Sequence, residues 1–319
     1  MKSIVIYYSQ SGNTKKVAEA IHRGMSQTGE QCDIVPLRDM NPPNLADYDL
    51  IGLGSPVISF AEPRNVSFFI EDRMKSVEGK HAFTFCTHGC LPTRYLSSVV
   101  PKLQQRGLTV IGWNDWFGSA VYPVIPKPYF TDGHPDEIDI KEAEDFGREM
   151  VERSRRIYQG ETNLIPELPR GKEYDDIYDP TELKANLGKL SKRANAAYRR
   201  LEFTVNPDRC NYPKCTHCID NCPTRSIDFS GDPPRLSIRC FSGIGHMCFI
   251  CEQTCPRGAI EIDYEEFTEA HDAVVASYFT RMLEHFEKIG RFRRLVPVED
   301  IGWGNPYWKT KKPPRFKLV

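Results

Sequence analysis

Through the first half of the chain, short apolar runs alternate with stretches whose apolar residues recur every three or four positions. That alternation is the pattern of a parallel sheet covered by helices on both faces. Residues 4–8, 33–37, 50–54, 82–87 and 108–113 read as strands. Val17, Ile21 and Met25 share one side of a helix after the first strand, and Tyr95, Val99, Val100 and Leu103 share one side of a helix before the fifth. A longer helix, about 140–158, aligns Phe146, Met150, Val151, Ser154 and Ile157 and follows the last strand. The expected fold class is α/β, a doubly wound parallel sheet of five strands.

Beyond the sheet the pattern changes. Residues 113–140 form a long connection rich in aromatic residues and proline, ending in Phe130-Thr131-Asp132-Gly133-His134-Pro135-Asp136. Connections of this length inside compact domains are often functional. Residues 161–179 lack periodicity and read as a linker, and 181–201 as a helix with Leu183, Leu187, Leu190, Ala194, Ala197 and Leu201 on one face. A last helix, 267–289, presents Val274, Val275, Tyr278, Phe279, Met282, Leu283 and Phe286. It leads into a tail, 291–319, with eight basic and two acidic residues and with Trp303 and Trp308.

Composition narrows the classes. Lysine plus arginine number 42 against 43 for aspartate plus glutamate, a balance that points to neither nucleic acid nor a membrane surface. No run approaches the roughly 18 apolar residues that span a bilayer, and the first residues read as a strand rather than a signal peptide. The expectation is a soluble, cytoplasmic protein. Eight of the eleven cysteines fall between Cys210 and Cys255, in two groups that each end in Cys-Pro. Without a secretion signal, such spacing favours metal ligation in a reducing compartment over disulfides. The remaining three are Cys32, Cys86 and Cys90; the last two are read as packing residues, with a redox or metal-binding pair as the alternative.

The cysteine region is an internal repeat. Cys210-x4-Cys215-x2-Cys218-x3-Cys222-Pro223 is followed by Cys240-x7-Cys248-x2-Cys251-x3-Cys255-Pro256, and Ser226-Ile227-Asp228-Phe229 matches Ala259-Ile260-Glu261-Ile262 in pattern. An iron-sulfur cube needs four thiolates approaching from different sides. A pair of zinc sites is the alternative, but zinc requires neither the Cys-x3-Cys-Pro endings nor the duplication. His217 and His246 lie inside the motifs and are expected to border metal sites rather than ligate. The region resembles the bacterial two-cluster ferredoxins, in which the cysteine before proline ligates the other cluster. The resemblance implies two [4Fe-4S] clusters, one on Cys210, Cys215, Cys218 and Cys255, the other on Cys240, Cys248, Cys251 and Cys222. The intervals of four and seven residues before the central pairs exceed the family's usual two.

Near the N-terminus, the first strand runs into Ser9-Gln10-Ser11-Gly12-Asn13-Thr14 and then a helix. Hydroxyls and free N–H groups at a helix start make an anion site, and glycine lets the chain curl close to a phosphate. The lysine of a nucleotide P-loop is missing. Gly54-Ser55-Pro56-Val57 and Thr87-His88-Gly89-Cys90 follow the third and fourth strands, where ligands of open parallel sheets collect. These loops resemble those of flavodoxins. The resemblance implies FMN, its phosphate on residues 9–14 and its ring against Ser55, Pro56, Val57, Thr87, His88 and Gly89. A stacking aromatic is not evident in the ring loops, and Phe60 or Tyr122 is the expected substitute. Gly52-Leu53-Gly54 lacks the third glycine of a nicotinamide fingerprint.

The chain as a whole thus resembles flavodoxin-ferredoxin fusion proteins. Residues 1–160 are expected to form a flavodoxin-like FMN-binding domain, 161–200 a linker and helix, 201–265 a small α+β ferredoxin-like domain holding two clusters, and 266–319 a C-terminal helix and basic tail. The expected function is electron transfer between the clusters and FMN in anaerobic metabolism, with redox proteins as partners; a homodimer is one assembly open to it. Two alternatives stand: an oxidoreductase that reduces a small acceptor such as a quinone or tetrapyrrole at FMN, and a redox-sensing interaction protein. No acid-base constellation is evident, although His88 beside the ring could supply a proton.

Overall fold

The structure is a computed structural model that describes residues 1–37, 44–58, 61–92, 94–120, 125, 127–168, 192–193, 196–197, 201, 203–222, 227–228, 230–231, 235–236, 249–275 and 279–302. The chain divides into two compact units, residues 1–119 with 133–173, and residues 120–132 with 174–319.

In the first unit β1 (Lys2–Tyr7), β2 (Gln31–Pro36), β3 (Leu50–Pro56), β4 (His81–His88) and β5 (Thr109–Phe117) form one parallel sheet in the order β2-β1-β3-β4-β5. That order is the flavodoxin-like doubly wound topology. The strands form where the sequence has unbroken apolar runs because both faces of the sheet are buried. On one face Ile4, Ile6, Ile51, Leu53 and Val110 pack with Val66 of α2 (Arg64–Phe68) and with Tyr95, Val99 and Leu103 of α3 (Tyr95–Gln105). On the other, Val5, Phe83, Phe85 and Ile111 meet Val17 and Ile21 of α1 (Asn13–Ser26) and Phe146 and Met150 of α4 (Glu137–Tyr158). Each such side chain contributes roughly 1.5–3 kcal/mol by leaving water.

Helices α1 and α4 approach closely because two glycines allow it. A Cβ on Gly24 would lie 1.9 Å from the Glu144 carbonyl oxygen, and one on Gly147 would lie 2.3 Å from that of Ile21. Gly52 and Gly54 of β3 serve packing too, since the rings of Phe83 and Phe85 occupy the space a Cβ would take. These two glycines therefore accommodate neighbouring rings rather than a nucleotide.

Two elements depart from the sequence expectation. Strand β5 runs on to Phe117, four residues beyond 113. Helix α4 starts at Glu137 rather than about 140, because the Asp136 carboxylate accepts the N–H groups of Ile138 and Asp139 in a capping box. Along the helix expected over 267–289 lie α7 (Glu265–Val274) and α8 (Thr280–Lys288), with 276–278 outside the described residues. Most of 181–201, Phe60, Tyr122, and the tail from 303 with both its tryptophans also lie outside them. No helix among the described residues is long and apolar enough to cross a membrane.

The second unit holds short elements: β6 (Phe203–Val205), α5 (His217–Asp220), β7 (Ile227–Asp228), β8 (Arg235–Leu236), α6 (Ile250–Thr254) and β9 (Ile260–Ile262), followed by α7 and α8. Strand β6 pairs antiparallel with β9, and β7 antiparallel with β8. The outer strands therefore close the ends of the repeat on each other. Residues 120–132 belong to this unit: Gly302 N–H donates to Pro128 O at 2.8 Å, and the Arg294 guanidinium lies 4.7 Å over the Phe130 ring.

Candidate functional sites

At the carboxyl rim of the sheet, three loops come together because β1, β3 and β4 are neighbours. Tyr8 N–H donates to Gly54 O at 2.9 Å, and Val57 N–H to Thr87 O at 2.8 Å, so the loops are joined by backbone hydrogen bonds. Thr14 and Thr87 hydroxyls meet at 2.7 Å. The first loop turns through Gly12, whose φ of 92° lies in the left-handed region that glycine enters freely. Ser9 Oγ accepts the Gly12 N–H at 3.2 Å and shapes that turn. Asn13 Nδ2 donates to Ser119 O at 2.9 Å and ties the helix start to the end of β5.

Helix α1 begins without a side-chain cap, and a Cβ on Gly12 would meet nothing within 4 Å. An uncapped N-terminus of a fourteen-residue helix, beside open space, fits an anion such as a phosphate. Ser9, Gln10, Ser11, Gly12 and Asn13 are half-buried at this mouth, as are Pro56, Val57 and Gly89 of the other two loops. Ser55, Thr14, Thr87 and His88 are buried and act from beneath the rim.

His88 is 4% exposed, its Nε2 lies 2.8 Å from Asp115 Oδ2, and its ring stands edge-on to Phe117. Its Nδ1 is buried without a hydrogen-bond partner. With the carboxylate accepting Nε2–H, a neutral imidazole presents Nδ1 as an acceptor. Asp115 was not singled out by the sequence; it lies two residues past the expected end of β5, inside the stretch expected to be a long connection. Cys86 and Cys90 are buried, and burial pushes the Cys90 thiol well above its usual range, which suits a packing role.

A buried carboxylate supports the loop after β3. Glu62, 3% exposed, accepts from Ser67 Oγ at 2.7 Å, Ser98 Oγ at 2.8 Å and Lys102 Nζ at 2.7 Å. Burial alone would raise its pKa, but the hydrogen bonds from Lys102, Ser67 and Ser98 outweigh it and hold the carboxyl below its usual range. The loop is thereby fixed to α3.

In the second unit, Cys210, Cys215, Cys218 and Cys255 line one cavity, together with Val205, Ile227 and Ile260. The first three come from the β6–α5 loop and α5, where Cys210 N–H donates to Asn206 O at 2.9 Å and Cys215 N–H to Asn211 O at 3.0 Å. Cys255 comes from the second motif, at the end of α6, and its Sγ accepts the Ala259 N–H at 3.2 Å. Burial, and then the neighbouring Cys255, Cys210 and Cys215, push the Cys218 thiol up to about 11. The donor set is four sulfurs around one apolar space, which fits a thiolate-held iron-sulfur cube. His217 lines the cavity from an exposed position. Cys222 and Cys251 are buried, while Cys240 and Cys248, the other two sulfurs expected with them, fall outside the described residues, as does His246.

Among known proteins, the Flavodoxin domain family matches residues 4–106. An uncharacterized protein of Methanocaldococcus jannaschii is 28% identical over 156 residues, 47% of this chain and 99% of that protein. A flavodoxin of Clostridium beijerinckii is 22% identical over 149 residues, 46% of this chain and 97% of that one. An uncharacterized ferredoxin of Methanocaldococcus jannaschii is 27% identical over 65 residues, 20% of this chain and 100% of that protein. A solved flavodoxin from the domain Archaea covers 49% of this chain and 99% of its own, with 21% identity and a TM-score of 0.39.

Proposed function

With a flavodoxin-like N-terminal domain as the premise, we propose that this protein transfers electrons between FMN on its first unit and two [4Fe-4S] clusters on its second, exchanging them with redox-protein partners in the cytoplasm. The observation that carries the reading is the grouping of Cys255, from the second motif, with Cys210, Cys215 and Cys218, from the first, around one cavity. A zinc ribbon would draw its ligands from paired Cys-x2-Cys segments and gives no reason for that exchange. The similarity to an archaeal ferredoxin supports the same reading.

Bound FMN supplies one- and two-electron chemistry, and the clusters supply single-electron steps. The chain's own residues provide the setting. Uncapped α1 amides and the Gly12 turn would receive the phosphate, while Pro56, Val57 and Gly89 would border the ring, and the Glu62–Lys102 pair fixes the loop after β3. His88, held by Asp115, sits beneath the ring loops with an unpartnered nitrogen that can hold a proton. In the second unit, Cys210, Cys215, Cys218 and Cys255 would hold the metal, and the Ala259 N–H donates to Cys255 Sγ.

Anaerobic purification followed by flavin extraction and by iron and sulfide analysis tests both halves. One FMN with eight iron and eight sulfide per chain is the expected result, from eight cysteines shared by two cubes. FAD in place of FMN, or zinc in place of iron, would overturn the assignment.

A further inference from the structure

Arg257 is a cation at the cluster cavity with no part in the scheme above. It follows Cys255-Pro256 and lines the same cavity as the four sulfurs, as does Arg209. Its position is held, since Nε donates to Arg209 O at 2.6 Å. The turn beneath it is closed by Gly258 N–H on Cys255 O at 3.1 Å, with Gly258 at φ 57°.

The two arginines differ in what neutralises them. Arg209 is ion-paired with Glu261. Arg257 has no carboxylate partner among the described residues, and no aspartate or glutamate is among the residues lining the cavity. Its positive charge is therefore the uncompensated one. A cube held by thiolates gains one negative charge when it takes an electron, so a fixed cation beside it favours the reduced form.

Solvent access acts in the same direction. Of the four sulfurs at this cavity, Cys210, Cys215 and Cys218 are half-buried and Cys255 is buried. Water reaching the three half-buried sulfurs stabilises the more highly charged reduced cube.

Resting on the two-cluster reading, we infer that Arg257 is a positioning residue that raises the reduction potential of the cluster on Cys210, Cys215, Cys218 and Cys255. That cluster becomes the station where a single electron settles and from which it leaves to an outside acceptor. The cluster associated with Cys222 and Cys251 is then the lower-potential station.

The test uses the full chain, purified anaerobically, with Arg257→Gln and Arg257→Lys compared with the parent. Each is titrated with dithionite and mediators while the cluster signals are followed by electron paramagnetic resonance. Arg257→Gln shifts one cluster midpoint to more negative potential and leaves the other and the flavin in place; Arg257→Lys recovers most of the shift. Because Arg257 is exposed, the shift shrinks at high salt. The signal that moves is the one lost in Cys215→Ala. Unmoved midpoints at parental iron content overturn the inference, as does movement of the signal that survives Cys215→Ala. Failure of the underlying reading has a different signature: parent protein without iron and sulfide.

Discussion

The hydroxyls of Thr14 and Thr87, 73 positions apart in sequence, meet at 2.7 Å and join the first turn of α1 to the end of β4. Both side chains are buried, so neither has water as a substitute partner. Thr87→Val leaves the Thr14 hydroxyl unpaired and should lower stability by about 1–3 kcal/mol. FMN affinity should fall with it, because the phosphate and ring loops lose their link. Thr87→Ser should restore both. Urea unfolding and flavin fluorescence titration measure the two effects.

The buried Glu62 carboxylate gives a pH dependence of defined sign. Its pKa is depressed in the folded protein, so its contribution is fully present above the unfolded carboxylate value of about 4.3 and is lost as pH falls through the folded value. Parent stability should therefore drop below about pH 4.3, and Glu62→Gln should lack that part of the drop. At neutral pH the substitution should cost about 1–3 kcal/mol, less than for a fully buried pair. Lys102 keeps Glu71 at 2.9 Å as a second partner. Denaturation midpoints at pH 7 and across the acid range check both statements.

Contact between α1 and α4 makes Gly24 and Gly147 intolerant of a methyl group. Gly24→Ala and Gly147→Ala should each destabilise the first unit by about 1–3 kcal/mol or more, since the obstructing atoms are helix backbone. The double variant should cost less than the sum, because either change alone already separates the helices. Far-UV circular dichroism during urea unfolding provides the measurement.

Crossed ligation predicts which cluster each cysteine variant damages. Cys255→Ala should perturb the cluster of the first motif, and Cys222→Ala that of the second. Mössbauer spectroscopy of iron-57 protein can follow each cluster. Loss confined to the cluster of the mutated motif itself would exclude the crossing and the allocation of all eight cysteines.

The central strands are legible in the sequence because a sheet buried on both faces needs unbroken apolar runs, and β1, β3 and β4 supply them. The end of β5 is not legible. Asn114 and Asp115 fall in the stretch read as a long connection, and only the tertiary partner His88 explains a carboxylate in a strand. Helix α2 has five residues, too few for a periodic pattern to emerge. At the rim, the Ser9 to Thr14 segment is recognisable by composition, but the Thr14–Thr87 and His88–Asp115 contacts depend on strand order and register, which local pattern does not encode. The Glu62–Lys102 pair is hidden for the same reason: its partners are 40 residues apart and nothing local marks either.

Residues 120–132 belong to the second unit although they are made long before the rest of it. During synthesis, Pro128 and Phe130 leave the ribosome about 170 residues ahead of Gly302 and Arg294, the residues that engage them. At roughly 5–20 residues per second, that interval is on the order of ten to thirty seconds. The apolar Tyr129-Phe130 pair, 1% and 2% exposed once folded, is unclaimed for all of it. The two units are therefore not successive beads that a cut near residue 160 would separate. Such a cut strands Phe130 on one fragment and Arg294 on the other, and the second unit reaches completion only as the last part of the chain emerges.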